Sequence, residues 1–143
     1  MLINLPSRLR EFALFVLRVV AGFYMFIGHG WGKITAGPER WTELGGTMEL
    51  IGISFLPVVW GFLAAIGESV AALFVAFGFL TRTAALFTMG TMGMAATMHV
   101  MTGDGWVGAG SAEMALLYLL IFATIFLAGP GKYSIDHRMK RRR

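Results

Sequence analysis

The chain has 143 residues, of which 57% are apolar and only 14% are charged, and it contains no cysteine. Because soluble domains carry about a quarter charged residues, this composition predicts a single membrane domain. The lack of cysteine excludes disulfides, thiol redox chemistry and cysteine-ligated metals within the chain. The net charge of +4 does not predict nucleic-acid binding, since most of the twelve basic residues lie near the two ends.

Four apolar runs predict an all-α bundle of four transmembrane helices, because a helix crosses a bilayer core in roughly 20 residues. The predicted helices cover about residues 10–30, 58–80, 84–101 and 111–128. Residues 31–57 hold Gly-Pro and Gly-Gly pairs and several charges, so an outer loop is predicted there, with a short interfacial or re-entrant segment at 48–53. The first run is too long for a cleavable signal peptide, so none is expected.

The basic residues predict how these helices are oriented. Four spans place both termini on one side, and that side collects Arg8, Arg10, Arg82, Lys132, Arg138, Lys140, Arg141, Arg142 and Arg143. The opposite side holds Lys33 and Arg40 together with most of the acids. Since an excess of lysine and arginine marks cytoplasmic segments, we predict cytoplasmic termini and a basic cytoplasmic tail over residues 129–143.

Glu68 lies near the middle of the second predicted span. An ionisable group costs about 2.5–3.5 kcal/mol there, so it must face a partner or a watery cavity inside the bundle. Each of the other predicted spans carries a polar stripe, and the simplest packing turns these stripes inward. Their polar residues are Arg18, His29 and Lys33 on the first helix, His99 on the third and Glu113 on the fourth.

Residue counts estimate the depth of these groups. Measured from the cytoplasmic helix ends, Arg18 lies roughly 10 Å deep, Glu68 roughly 17 Å and the two histidines roughly 22–27 Å. Side chains lean toward the N-terminus of their helix, so Glu68, His29 and His99 should converge on the outer half of the bundle. The same helix rise predicts a gap of about 5–10 Å between them, enough for waters or a flat ligand.

Each of these residues has an alternative, structural interpretation. Arg18 and Glu68 are near enough in depth to form a structural ion pair, and the two histidines can hydrogen-bond to backbone or water. Two histidines with Glu113 can also ligate a metal or a haem iron, but no H-x-x-x-H or H-x-x-E pattern is present, so no metal site is predicted. Glu113 also suits an N-terminal helix cap, and Lys33 can extend toward lipid headgroups.

Several motifs together resemble those of the DoxX family of small bacterial and archaeal integral membrane proteins. They are Gly28-His29-Gly30-Trp31-Gly32-Lys33, Gly67-Glu68, the run from Phe77 to Ala85, His99, Glu113-Met114-Ala115-Leu116-Leu117, and Gly129-Pro130-Gly131-Lys132-Tyr133-Ser134-Ile135-Asp136. The last is the most specific. The resemblance implies a multi-pass protein of the prokaryotic plasma (inner) membrane. The family takes its name from a subunit associated with thiosulfate and quinol oxidation, whereas more distant relatives resemble chaperones or partner-binding membrane proteins.

Two hypotheses of function follow. In the first, a polar pocket in the outer half of the bundle binds a quinone-like or other small amphipathic redox ligand. Glu68 and His99 exchange protons with ligand oxygens, because a buried carboxyl and an imidazole suit proton transfer near neutral pH. The ligand-binding residues are His29, Lys33, Glu113 and Arg18, the last holding the charge of Glu68. In the second, the chain is a non-enzymatic membrane subunit or assembly factor with a structural polar core.

The hypotheses differ in the cofactors and partners they require. No flavin, dinucleotide or haem-attachment motif is present, so no bound flavin, NAD or covalent haem is expected, and a redox partner protein would supply electrons to a quinone. Membrane lipid is a partner under either hypothesis. Small-residue helix faces and aromatic surfaces allow a homodimer under both.

Overall fold

The computed structural model describes residues 6–142, and over these residues the chain is helical and contains no strand. The helices are α1 (Ser7–Met25), α2 (Trp31–Thr35), α3 (Pro38–Gly46), α4 (Pro57–Glu68), α5 (Val70–Phe77), α6 (Thr81–Met101), α7 (Glu113–Ala128) and α8 (Ile135–Lys140). A π-helical turn, Phe26–Gly30, joins α1 to α2, and a 3₁₀ turn, Thr47–Ile51, follows α3. The predicted all-α class is confirmed. Arg143, part of the predicted basic tail, lies outside the described residues.

Two helical stretches are long and apolar enough to cross a membrane. They are Ser7–Thr35, with 29 residues and a mean hydropathy of 1.8, and Pro57–Phe77, with 21 residues and a mean hydropathy of 2.0. The apolar helix α7 is shorter. The first stretch continues past its predicted end because the π-helical turn at Phe26–Gly30 carries the helix on into α2 instead of ending it.

Residues 31–57, predicted as an outer loop, are instead largely helical, because α2, α3 and the 3₁₀ turn occupy most of them. Of the glycines that suggested turns, Gly37 has a positive φ just before α3, whereas Gly45 is a contact point between helices. A Cβ at Gly45 would overlap the Pro57 carbonyl oxygen, and a Cβ at Gly61 would overlap the Trp41 carbonyl oxygen. Small residues at such positions let two helices approach closely, so α3 packs directly against α4.

The second predicted helix, 58–80, is interrupted at Ser69, whose backbone (φ −109°, ψ −79°) separates α4 from α5. The break leaves backbone carbonyls without their helical partners. Thr88 of α6 compensates by donating its hydroxyl hydrogen bond to the Gly67 carbonyl at 2.8 Å. The interruption therefore places Glu68 at the end of α4, next to α6, and keeps its surroundings hydrogen-bonded.

The helices form two antiparallel layers around one main core. The segment from α1 to α3 runs against α5 and α4, with Gly22 beside Ala72 at one end and Gly45 beside Pro57 at the other. Helices α6 and α7 pack against each other on the other side. The main core is made of small and medium side chains: Ala21, Met25, Ala71, Ala72, Val75, Ala84, Ala85, Met92, Phe122 and Ile125.

We predict that Gly30→Ala destabilises the protein and that Gly32→Ala does not. A Cβ at Gly30 would overlap the Glu68 carbonyl oxygen, whereas a Cβ at Gly32 would meet nothing within 4 Å. Forcing extra atoms into a packed contact costs about 1–3 kcal/mol, while alanine in an uncrowded helix is favoured by about 0.5–1 kcal/mol. Thermal unfolding of the purified variants in detergent measures the difference, and equal midpoints for both would contradict the close approach at Gly30.

Candidate functional site

The Glu68 carboxylate forms an ion pair with Lys33. The Lys33 Nζ lies 2.6 Å from both Glu68 Oε1 and Oε2 and donates to each. Glu68 is buried, with 2% of its surface exposed, and a quarter of the Lys33 side chain remains exposed. The partner of the buried acid is therefore a lysine on α2 and not Arg18, which the sequence suggested.

Local packing explains why Lys33 reaches this position. Gly30 lets the end of the π-helical turn lie directly against the backbone of Glu68, and α2 continues from there, so that Lys33 follows one turn later. The indole nitrogen of Trp41 donates to the Lys33 carbonyl at 2.8 Å and ties α2 to α3. A paired charge is retained in a buried environment far more readily than a single one.

The ion pair borders a cavity of about 830 Å³ between α4, α6, α7 and the 3₁₀ turn. Four of the six predicted site residues line the cavity: His29, Lys33, Glu68 and His99. The other two, Arg18 and Glu113, do not. Most of the remaining wall is apolar and includes Trp60, Leu63, Leu86, Phe87, Met94 and Met98. The α6 wall extends from Thr83 to His99, which corresponds to about 24 Å of helix.

The two histidines occupy different parts of this cavity. His29, in the π-helical turn, packs edge-on against Tyr118 of α7 with ring centroids 5.5 Å apart. His99 lies near the end of α6, eight residues beyond Thr91, whose side chain contacts Gly67. Eight residues of helix span about 12 Å, so the backbones of Glu68 and His99 are further apart than the predicted gap of about 5–10 Å.

His99 has a carboxylate partner that the sequence analysis did not identify. Its Nδ1 lies 2.9 Å from Asp104 Oδ2, and the Thr102 hydroxyl donates to the same oxygen at 2.9 Å. The hydrogen bond from His99 lowers the pKa of Asp104, and that from Thr102 adds to the effect. Because Nδ1 donates to the carboxylate, Nε2 is the nitrogen left for other partners. The spacing of five residues across the Thr-Gly-Asp-Gly turn was the available sequence signal.

Arg18 belongs to a different polar cluster, at the end of the bundle that carries α8. Its guanidinium is fully buried and donates to the carbonyls of Val75 at 3.0 Å and Tyr133 at 2.9 Å. The Val75 carbonyl, near the C-terminal end of α5, also accepts the Gly78 N–H, while the buried Nε of Arg18 has no hydrogen-bond partner among the described residues. Val75 is seven residues from Glu68, or about 10 Å along the helix, so Arg18 is too far away to hold the charge of Glu68.

Asp136 completes this second cluster, which we call the α8 latch (Arg18, Gly78, Thr81, Tyr133 and Asp136). The Asp136 carboxylate accepts the backbone N–H of Leu80 at 2.8 Å and both the N–H and the hydroxyl of Thr81 at 2.9 and 2.8 Å. It thus caps the N-terminus of α6 from another part of the chain. The Asp136 N–H donates to the Gly78 carbonyl, so α8 is fixed to the turn between α5 and α6.

Glu113 lies in the first turn of α7 and is exposed. Its carboxylate accepts the Gly108 backbone N–H at 2.8 Å, so it orders the loop before α7. Glu113 makes no side-chain hydrogen bond to the N-terminus of α7, so the structure shows it in a loop contact and not in the helix cap that the sequence suggested as its alternative role. Within residues 6–142, no three His, Asp or Glu side chains are grouped closely enough to hold a metal ion.

Comparison with known proteins identifies the family of this chain. The sequence model of the DoxX family matches residues 13–101. The chain belongs to the DoxX family. It is 35% identical over 142 residues to "Inner membrane protein YqjF" of Escherichia coli (strain K12), and the alignment covers 95% of this chain and 98% of that protein. An uncharacterized protein of Haemophilus influenzae is 30% identical over 138 residues, covering 94% and 96%. No solved structure gives a significant match.

These comparisons confirm the predicted DoxX membership and the predicted location in a prokaryotic inner membrane. The apolar stretches Ser7–Thr35 and Pro57–Phe77 are compatible with membrane insertion. Neither the family description nor the names of the two relatives states a reaction, ligand or partner.

In this DoxX protein, we predict that Lys33→Met destabilises more than the double variant Lys33→Met/Glu68→Met. The single change leaves a buried carboxylate without its cation, which costs about 3–5 kcal/mol at most, whereas removing both charges avoids that penalty. Chemical denaturation in detergent gives the coupling free energy of the pair.

The single and double variants of Lys33 and Glu68 form a double-mutant cycle, and a second cycle with Arg18→Met in place of Lys33→Met is its control. Because Arg18 and Glu68 share no partner, their effects should add to within about 0.5 kcal/mol. Strong coupling of Glu68 to Arg18, with none to Lys33, would contradict the observed pairing.

A second prediction concerns Asp104, which lies in the loop after α6. The pKa of Asp104 should lie below its ordinary value of about 3.9, and His99→Ala should raise it more than Thr102→Val does. Since the folded pKa is lowered, the contact stabilises the protein above pH of about 4, and this contribution is lost as the pH falls through the lowered pKa. Carboxyl ¹³C NMR titration measures the shift, and an unchanged Asp104 pKa in His99→Ala would contradict the contact.

Proposed function

We propose that this DoxX protein is a four-span membrane protein that binds a quinone-like, small amphipathic ligand in the cavity beside Lys33 and Glu68, as a component of an oxidoreductase. The observation that carries the proposal is the position of a buried ion pair at the wall of a long, largely apolar cavity of about 830 Å³. Ligand sites of small molecules have about this volume and combine apolar walls with a few polar groups.

In the proposed topology, the spans are Ser7–Thr35, Pro57–Phe77, α6 and α7, and both termini face the cytoplasm. Contacts of the segment after α7 support a shared end for the start of α1, the start of α6 and the end of α7, because Lys132 bonds to Glu11 and Asp136 bonds to Thr81. The exposed arginines and lysines concentrate at that end, as is typical of a cytoplasmic face.

The chemistry of the ion pair favours a ligand with an oxygen acceptor. An ammonium group has three donors, and Glu68 accepts two hydrogen bonds from Lys33, so one donor remains for a ligand carbonyl or hydroxyl. Lys33 and Glu68 together carry no net charge, which suits a neutral polar head. The apolar α6 wall, about 24 Å long, suits a hydrocarbon tail attached to that head.

The proposed redox step is the exchange of two electrons and two protons between quinone and quinol. Lys33 holds the ligand oxygen and Glu68 exchanges a proton with it, since both groups border the same space. His99, about 12 Å further along α6, exchanges the second proton at the far end of the cavity through its Nε2, because its Nδ1 is bonded to Asp104. His29, whose imidazole packs edge-on against Tyr118, orients the quinone ring. The electrons come from, or pass to, a separate redox protein.

We predict that the protein binds decylubiquinone and that filling the cavity prevents it. Gly90 lines the cavity and Gly93 lines a separate groove between α6 and α7, and a Cβ at either position meets nothing within 4 Å. Gly90→Leu should therefore weaken binding by about tenfold or more, while the matched Gly93→Leu should not. Lys33→Met should weaken it about 10- to 100-fold, the typical value of a charge-assisted hydrogen bond. Quenching of the fluorescence of Trp60 in the cavity wall reports binding.

The same variants test the chemistry. In membranes that contain the redox partner, Glu68→Gln should abolish quinone-dependent turnover while the protein remains folded. Unchanged turnover in Glu68→Gln would remove Glu68 from the mechanism. Equal quinone affinity in Gly90→Leu and the parent protein would remove the cavity as the site.

The second candidate is a non-enzymatic subunit or assembly factor, and one observation favours it. Both oxygens of Glu68 are already paired by Lys33, so the charge is satisfied without any ligand. Lipid extraction and an absorbance spectrum of the purified protein separate the two candidates. A co-purifying quinone supports the first, whereas stable co-purifying proteins without a quinone support the second.

A further inference from the structure

The end of the bundle that carries α8 presents an unusual surplus of positive charge. Two acids lie there, and backbone groups occupy both: Glu11 accepts the Lys132 N–H at 2.7 Å, and Asp136 caps α6. Eight basic side chains of this end are exposed: Arg8, Arg10, Arg82, Lys132, Arg138, Lys140, Arg141 and Arg142. Within residues 6–142, none of these eight forms a salt bridge with a carboxylate.

Exposed apolar side chains lie beside these charges. Ile135 and Met139 are one turn apart on the same face of α8, and they are 41% and 46% exposed. Tyr133, just before α8, is 52% exposed and packs edge-on against Phe15 of α1. A short helix with an apolar face next to several cations is typical of a segment that lies in the membrane interface.

The α8 latch fixes this surface in place. Asp136 binds the start of α6, the Tyr133 carbonyl binds Arg18, and the Lys132 N–H binds Glu11, so the backbone segments that carry these charges are held together at one face. Binding of phosphate groups to this face then has to order side chains but not the backbone.

We propose that this basic face, formed by the eight exposed arginines and lysines together with Tyr133, Ile135 and Met139, binds the headgroups of anionic phospholipids. The charge requires an anionic partner, and the exposed apolar side chains favour a lipid over a soluble polyanion. The apolar face of α8 enters the region between headgroups and acyl chains, while Arg138 and Lys140 contact phosphates. This inference is independent of the quinone site.

The test compares lipid binding by the full-length protein after delipidation in detergent. Native mass spectrometry with phosphatidylglycerol should show several tightly bound molecules, and phosphatidylcholine should bind at least tenfold more weakly. Neutralising four residues together (Arg138→Gln, Lys140→Gln, Arg141→Gln and Arg142→Gln) should lower phosphatidylglycerol affinity by about 100-fold or more, since each basic residue near a lipid surface contributes about fivefold. Raising the salt concentration should weaken binding by the parent protein.

The matched control is Arg40→Gln, which removes an exposed arginine that lies away from this face and pairs with Glu43. It should leave phosphatidylglycerol binding unchanged. Ile135→Ser/Met139→Ser keeps every charge and should weaken lipid binding at least several-fold if the apolar face enters the interface. Equal binding of the two phospholipids, no loss in the fourfold variant, or tighter binding of a single-stranded RNA at the same phosphate concentration would overturn the proposal.

Discussion

The ion pair between Lys33 and Glu68 is the interaction on which the rest of the structure depends. A buried carboxylate must have a cation beside it, and the chain supplies one through two departures from regular helix. The π-helical turn at Phe26–Gly30 carries α1 into α2, and the interruption at Ser69 ends α4 at the glutamate. Gly30 then lets the two segments touch, because a larger residue would collide with the Glu68 backbone.

The polar groups of this protein form two separate systems, and each has a distinct physical role. The α8 latch joins α1, the end of α5 and the start of α6 to the segment that carries α8, through backbone carbonyls and N–H groups, with Arg18 and Asp136 as its charged members. Lys33 and Glu68 instead pair with each other beside a cavity. The latch therefore holds one end of the bundle rigid, and the space that a ligand can enter lies further along the helices.

The sequence predicted the helical class and the residues of the cavity wall better than it predicted their partners. An acid inside an apolar run has to face the protein interior, and this requirement applies whatever the register between helices. The partner of Glu68 depends on that register, and depth counted from the cytoplasmic helix ends assumed that these ends lie level with one another. In the structure Arg18 lies beside Val75, and the continuation of α1 into α2 brings Lys33 to Glu68, so Lys33 takes the place predicted for Arg18.

The predicted loop over 31–57 shows a second limit of local sequence signals. Glycine pairs there indicate either a turn or a site where two helices touch, and only the position of α4 decides between them. His99 is a second example, because its position was predicted but its partner was not. Its depth was predicted from residue counts, but Asp104, which fixes its tautomer, lies in a turn whose composition indicated only a change of direction.

Comparison of the two buried cations favours a role for Lys33 beyond stability. Arg18 is completely buried, and its two terminal nitrogens donate to backbone carbonyls that hold the α8 latch together, which is a structural role. Lys33 keeps a quarter of its side chain exposed, on the wall of a cavity that is otherwise largely apolar. A structural ion pair needs no such space, because filling it with apolar side chains would strengthen the pair and add packing energy. The open space next to a paired charge therefore supports the ligand site proposed above.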